Sequence, residues 1–141
     1  MAKPIYTAQA TVTGGRAHGH GRTSDGDLDV QLRPPGEGGG TNPEQLFAVG
    51  YAACFESALG AIARRERAEL GDISIDSRVS LVAAAERTYA LAVELHVTLP
   101  DVEDAAQAAG LVAAAHRVCP YSNATRGNID VTLTANGEAV G

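Results

Sequence analysis

The chain holds two cysteines, and each sits in a stretch that could carry chemistry. Cys54 follows Asn42-Pro43-Glu44-Gln45-Leu46-Phe47 at the far end of an apolar run. Cys119 lies in His116-Arg117-Val118-Cys119-Pro120-Tyr121-Ser122-Asn123. A thiol inside a helical apolar run and a second just before a proline suggest a redox pair. The plainer reading is two buried small hydrophobes, a common state of free cysteine. Burial alone would leave Cys54 inert, because taking a thiolate out of water raises the thiol pKa. A cation must offset this. At about 4 Å and an effective dielectric of about 20, one positive charge supplies roughly 4 kcal/mol. That is roughly 3 pKa units at about 1.36 kcal/mol each, before the pair's own desolvation is subtracted. Arg16 is the candidate, since the Gly14-Gly15 turn before it can aim it inward; the alternative is a solvated turn arginine.

Cys119 is expected at a helix C-terminus, where the partial negative charge disfavours thiolate. That position suits a thiol that attacks second. Glu44 is either a first-turn acid on the helix dipole or the group that pins the arginine beside the sulfur. Ten residues separate it from Cys54, about 15 Å of helical rise, so the two side chains cannot meet on one unbroken helix. Either the helix is interrupted near Gly50 or Glu44 serves a cysteine of another subunit.

Other constellations are weaker. His18, His20, His96 and His116 could join the cysteines in a zinc site, and His116 shares a helix face with Cys119, but no paired short-spacing ligand motif is present. His18 and His20 read more simply as loop residues of a Gly-rich turn. Gly36 to Gly40 lacks the Lys-Ser/Thr of a phosphate loop. There is no Gly-x-Ser-x-Gly elbow and no Cys-x-x-Cys.

The elements that must position these residues are legible from periodicity. Tyr6 to Thr13 alternates as a strand, Gly14-Gly15 breaks it, and Leu28, Val30 and Leu32 alternate after an Asp25-Gly26 turn. These segments predict an antiparallel meander, followed by a flexible loop from Pro34 to Gly40. A helix is predicted from Asn42 to about Arg67, capped by Asn42, with Pro43 at its first position and Gln45 completing a capping box. It is apolar nearly all round from Leu46 to Leu59, which predicts a buried central helix. Ile73, Ile75 and Val79 mark one strand, and Leu91 to Leu99 the clearest alternation in the chain. An alanine-rich helix is predicted from Pro100-Asp101 to about Cys119, stopped by Pro120. Ile129, Val131 and Leu133 form a last strand. The expected class is α+β, a single domain over residues 1–141.

The bulk numbers narrow the function. The chain has 141 residues, is 45% hydrophobic and carries a net charge of −6. An acidic chain without a basic cluster is a poor partner for nucleic acid or an anionic membrane surface. Aromatics are 4% and tryptophan is absent, so packing rests on Ala, Val, Leu and Ile. No continuous apolar run approaches the roughly 18 residues of a membrane span. No signal peptide is visible after Met1-Ala2-Lys3-Pro4, which predicts a cytoplasmic protein. There any bond between the cysteines should be transient.

Taken with Tyr6-Thr7-Ala8 and Gly14-Gly15-Arg16, the segments Thr41 to Phe55 and Val118 to Val131 resemble the organic hydroperoxide resistance (Ohr) proteins of the OsmC-like family. The likeness covers nearly the whole chain. It implies antiparallel sheets packed around two central alanine-rich helices in an intertwined homodimer with active sites at the subunit interface. It implies a thiol peroxidase for organic hydroperoxides, with Cys54 the peroxidatic thiol, Cys119 the resolving one, and Arg16 and Glu44 the charged pair that activates the peroxidatic sulfur. Lipoylated proteins or similar dithiols are the implied reductants, and no metal or other cofactor is required. Phe47 and Phe55 would line the organic part of the pocket, or serve as plain core. Glu56, the His18/His20 turn and the short Gly36 to Gly40 loop depart from the family pattern. The rival readings are a redox-sensing or apolar-ligand-binding module without turnover, and a zinc-binding structural protein.

Overall fold

A computed structural model describes residues 2–141; Met1, the first residue of the segment read above for a leader, lies outside the described residues. The chain divides into two compact units, Met1–Leu46 and Phe47–Gly141.

The first unit is built on a three-stranded antiparallel sheet in the order β1-β2-β3, with β1 Ala10–Thr13, β2 Gly19–Thr23 and β3 Asp29–Leu32. The alternation from Tyr6 predicts a longer first strand. Pairing begins only at Ala10 because its partner β2 ends opposite it at Thr23, and a strand without a neighbour has no ladder to join. His20 is not a loop residue as expected. It lies in β2 opposite Gln31, and its Nε2 is 2.5 Å from Asp29 Oδ1. The turn between β1 and β2 demands glycine. Gly14 has φ +77°, and a Cβ there would stand 2.2 Å from the His18 carbonyl oxygen. That tight turn carries Arg16.

Helix α1 runs Pro43–Glu66. Asn42 caps it as expected, its Oδ1 accepting from the Gln45 N–H at 2.9 Å. The Gln45 side chain does not complete the capping box; it accepts from the Thr41 hydroxyl at 2.7 Å instead. The helix is continuous through Gly50, so the interruption considered above is not there. Gly50 has a packing reason: a Cβ would lie 3.2 Å from the Tyr121 hydroxyl oxygen.

The second unit holds a four-stranded sheet in the order β4-β5-β6-β7: β4 Ser74–Ala83, β5 Tyr89–Thr98, β6 Asp130–Ala135 and β7 Glu138–Val140. Helix α2, Ala105–Val118, packs against β6 and β7, and α3, Pro120–Thr125, follows at once. The architecture is mixed α+β, as read. One pair departs from an all-antiparallel sheet. β5 and β6 run parallel, because the chain between them crosses over through α2 and α3. Helix α2 starts later than Pro100-Asp101, at a cap formed by Asp104, whose side chain accepts from the Gln107 N–H at 3.2 Å. Pro120 ends α2 and also opens α3 as its first residue, where its missing N–H and fixed φ suit a helix start. β7 was not anticipated. Asn136 and Gly137, with φ +49° and +85°, supply the two positive-φ residues of a tight hairpin turn.

The core of this unit centres on β5. Val93, Leu95, Val97 and Leu99 point one way and are buried against Leu111, Val112 and Ala115 of α2 and Tyr51, Phe55 and Leu59 of α1. Helix α1 is not buried all round as expected. Its buried residues are Tyr51, Phe55, Leu59, Ile62 and Ala63, one stripe at helical spacing, whereas Val49 is 70% exposed. An 18-residue window of this helix reaches a mean hydropathy of 1.6, so by length and composition it is apolar enough to cross a bilayer. No unbroken apolar run reveals this, because Glu56 interrupts a segment whose Ala, Val, Leu, Phe and Cys residues raise the mean. The buried stripe is that of a core helix. Leu95→Ala should lower unfolding stability by about 2–5 kcal/mol, measured by urea denaturation; an unchanged midpoint would contradict this placement of the core.

Candidate active site

In the second unit the fold brings the two thiols together. Cys119 Sγ lies 3.7 Å from Cys54 Sγ. Both are free thiols, Cys119 fully buried and Cys54 partly so. A disulfide needs about 2.05 Å, so the sulfurs stand within about 1.7 Å of bonding distance. Cys54 is carried by α1. Cys119 occupies a joint: it is the C-cap of α2 and the N-cap of α3, donating its N–H to the Ala115 carbonyl and accepting from the Asn123 N–H, each at 2.9 Å. The expected helix C-terminus is therefore also a helix start, and the two dipole ends oppose one another at this sulfur.

Burial pushes the Cys54 thiol above its ordinary pKa; the Tyr121 backbone N–H acts the other way, and the neighbouring Cys119 sulfur adds to the rise. The Tyr121 donor is one of the first N–H groups of α3, which have no partner within the helix. It alone does not outweigh desolvation, so a cation is still needed.

Around the sulfurs lies a polar network that sequence reading did not find. Tyr51, one turn before Cys54, places its hydroxyl 2.8 Å from Ser122 Oγ and 3.1 Å from Thr125 Oγ1. Ser122 Oγ is also 2.8 Å from His116 Nδ1. Tyr51 and Ser122 are fully buried. His116, considered above as a metal ligand, is thus engaged with a hydroxyl, and among the described residues no group of three or more His, Cys, Asp or Glu side chains could hold a metal ion. Burial, and secondly the Arg126 charge, hold the His116 pKa below the ordinary 6.5.

In the first unit Arg16 and Glu44 form an ion pair. Two guanidinium nitrogens of Arg16 reach the two carboxylate oxygens of Glu44, and the pairing raises the Arg16 pKa. Arg16 is thus not a freely solvated turn residue. A guanidinium carries five N–H groups, so three remain for another acceptor.

Phe47 is partly buried, stacked on Tyr121 at 5.8 Å and edge-on to Tyr51 at 5.8 Å. Phe55 has no exposed surface; the plain-core reading describes it, and the pocket role is not available to it here. Glu56 is exposed and, with Ala48, Val49, Ala52, Ala53, Ile75, Asp76 and Ser77, lines a cavity of about 410 Å³.

The profile of the OsmC-like protein family matches residues 36–134. The organic hydroperoxide resistance protein of Xanthomonas axonopodis pv. citri is 51% identical over 143 aligned positions, spanning 95% of this chain and 99% of that one. The chain belongs to the OsmC-like family, in its organic hydroperoxide resistance branch. Solved Ohr structures share the fold. One from Legionella pneumophila is 51% identical with a TM-score of 0.86, covering 93% of this chain and 97% of that one. OhrB of Bacillus subtilis is 45% identical with a TM-score of 0.86, covering 92% and 98%.

Two outcomes follow for this Ohr-branch chain. Mild oxidation with diamide should join Cys54 to Cys119 within one chain, seen as an intact monomer that has lost two hydrogens by mass spectrometry without reductant; a disulfide between chains would contradict the 3.7 Å separation. For His116 the folded pKa lies below the unfolded one. Its contribution to stability is therefore present above about pH 6.5 and lost as pH falls through the folded value. His116→Asn should flatten the acid limb of the urea midpoint between about pH 7 and pH 5, and an unaltered slope would refute this.

Proposed function

We propose that this chain is a thiol peroxidase that reduces organic hydroperoxides to alcohols. The observation that carries the reading is the 3.7 Å approach of Cys54 to Cys119; the names of the relatives supply the substrate class. Cys54 thiolate attacks the distal oxygen of ROOH, the alkoxide leaves and takes a proton as ROH, and Cys54 becomes a sulfenic acid. Cys119 condenses with it, releasing water and forming the Cys54–Cys119 disulfide. A dithiol of lipoyl type returns both sulfurs to thiols. The scheme requires no metal, flavin or nicotinamide, and its recycling suits a reducing, cytoplasmic setting.

Arg16 is the cation that ionises Cys54, and Glu44 orients it. Glu44 precedes Cys54 by ten residues on an unbroken helix, about 15 Å of rise. This supports the second alternative above, in which the charged pair of one subunit serves the thiol of another in a homodimer. The uncovered side of α1 near Val49 and the exposed Leu81, Val82 and Tyr89 of the β4–β5 hairpin offer apolar surface for such a partner. Phe47, stacked on Tyr121, faces the organic group of the substrate.

The test is a peroxidase assay with dihydrolipoamide, comparing an alkyl hydroperoxide with hydrogen peroxide. Steady, preferential consumption of the alkyl hydroperoxide is expected. Consumption that stops after one equivalent would favour the redox-sensing reading. Cys54→Ser should abolish turnover, and Cys119→Ser should still consume about one equivalent per site, since the first step needs only Cys54. Arg16→Ala should slow the first step and move the pH midpoint of Cys54 alkylation upward; an unchanged rate would remove Arg16 from the site.

A further inference from the structure

The buried hydroxyls around the sulfurs have a forced direction. Thr125 Oγ1 lies 3.2 Å from the Ser122 carbonyl oxygen, which can only accept, so Thr125 donates there. Tyr51 then donates its single proton to Thr125, 3.1 Å away. Ser122, 2.8 Å from the Tyr51 oxygen, donates to Tyr51. Ser122 Oγ is thereby left to accept, and its remaining neighbour, His116 Nδ1 at 2.8 Å, must carry a hydrogen. The chain of donation runs His116, Ser122, Tyr51, Thr125 and back to the Ser122 carbonyl, with each hydroxyl both donating and accepting. Arg126 pins the far side, donating to the His116 carbonyl and, at 2.7 Å, to Asn123 Oδ1.

This clasp straddles the reacting atoms. Tyr51 lies three residues before Cys54 on α1. His116 lies three before Cys119, and Ser122 three after it. Three helices therefore meet at one buried hydroxyl, Ser122 Oγ, and each cysteine is within a turn of a clasp residue on its own stretch of chain, Cys54 of Tyr51 and Cys119 of His116 and Ser122. Breaking one link leaves buried polar groups without partners, which is more costly than the bond itself is worth.

We propose that the Tyr51–Ser122–His116 clasp is a positioning device for the disulfide-forming step, holding the two sulfurs in reach of each other. The proposal rests on the peroxidase reading for its kinetic part. In that step Cys54–SOH and Cys119–SH give the disulfide and water: the S–O bond breaks, the S–S bond forms, and the thiol proton leaves with the hydroxyl. Tyr51 and Ser122 are fully buried, out of reach of a hydroperoxide, so the clasp acts on the second step and not the first.

Tyr51→Phe keeps the ring and removes the central link. In single-turnover oxidation with cumene hydroperoxide, the first step should stay within about twofold of wild type. Disulfide formation should slow about tenfold, with a longer-lived sulfenic acid trapped by dimedone. The thiol–disulfide equilibrium against glutathione should shift about tenfold toward the dithiol, the equivalent of about 30 mV. His116→Asn, whose side-chain amide places an N–H where Nδ1 stands, should retain wild-type behaviour, whereas His116→Ala should match Tyr51→Phe. Nitrogen NMR should find the hydrogen of neutral His116 on Nδ1. Wild-type disulfide kinetics and equilibrium in Tyr51→Phe, or the opposite tautomer, would overturn the proposal. Should Tyr51→Phe not fold, Ser122→Ala carries the same comparison. The glutathione equilibrium uses no peroxide, so it decides the clasp even for a wild-type chain that hydroperoxide fails to oxidise, an outcome that would sink only the peroxidase reading.

Discussion

A thiol sheltered enough to meet an apolar substrate is, by the same shelter, held in its unreactive protonated form. Burial pushes Cys54 up, and the one nearby group acting against it is a backbone donor at the start of α3. Ionisation must come from a full charge. Among the described residues no charged side chain is bonded to this sulfur, and Arg16, paired with Glu44 and with N–H groups to spare, is the cation proposed to supply the charge. Pairing lowers the net charge that Arg16 presents but fixes where its remaining donors point, and a thiolate gains more from a directed donor than from a diffuse field.

The glycines and prolines serve this arrangement at particular places. Gly14 permits the turn that carries Arg16, and Gly50 admits the Tyr121 ring against α1. Pro120 lets two helices abut with Cys119 between them. None of these residues touches the chemistry, yet each sets where a charge or a sulfur can sit.

Local signals were legible in the sequence wherever the physics was local. Asn42 and Pro43 marked the start of α1, Leu91 to Leu99 marked the central strand, and the cysteines with their flanking motifs pointed to a redox pair. What depended on distant partners was not legible. The first strand was read too long because its neighbour's length is not written in its own alternation. β7 was missed because its turn was not recognised, and the parallel pairing of β5 and β6 follows from a crossover that periodicity does not show. His20 was assigned to a loop because a Gly-rich strand lacks hydrophobic alternation. The Tyr51, Ser122 and His116 links join residues up to 71 positions apart, and polar side chains at helix spacing look the same whether solvated or buried. Phe55 could be a pocket wall or core, and only its neighbours decide for core.

Cys119 is held by its own backbone from both sides, to Ala115 behind and Asn123 ahead. Its main chain is therefore not free to follow its sulfur. In the proposed scheme the remaining gap to Cys54 would then fall to torsion about side-chain bonds rather than to movement of the Cys119 backbone. Oxidised and reduced protein would on that scheme present nearly the same outer contour. Were a dithiol protein to recycle the pair, as proposed, it could not tell spent from ready by shape; it would dock on both alike and learn the difference only when its own sulfur arrived.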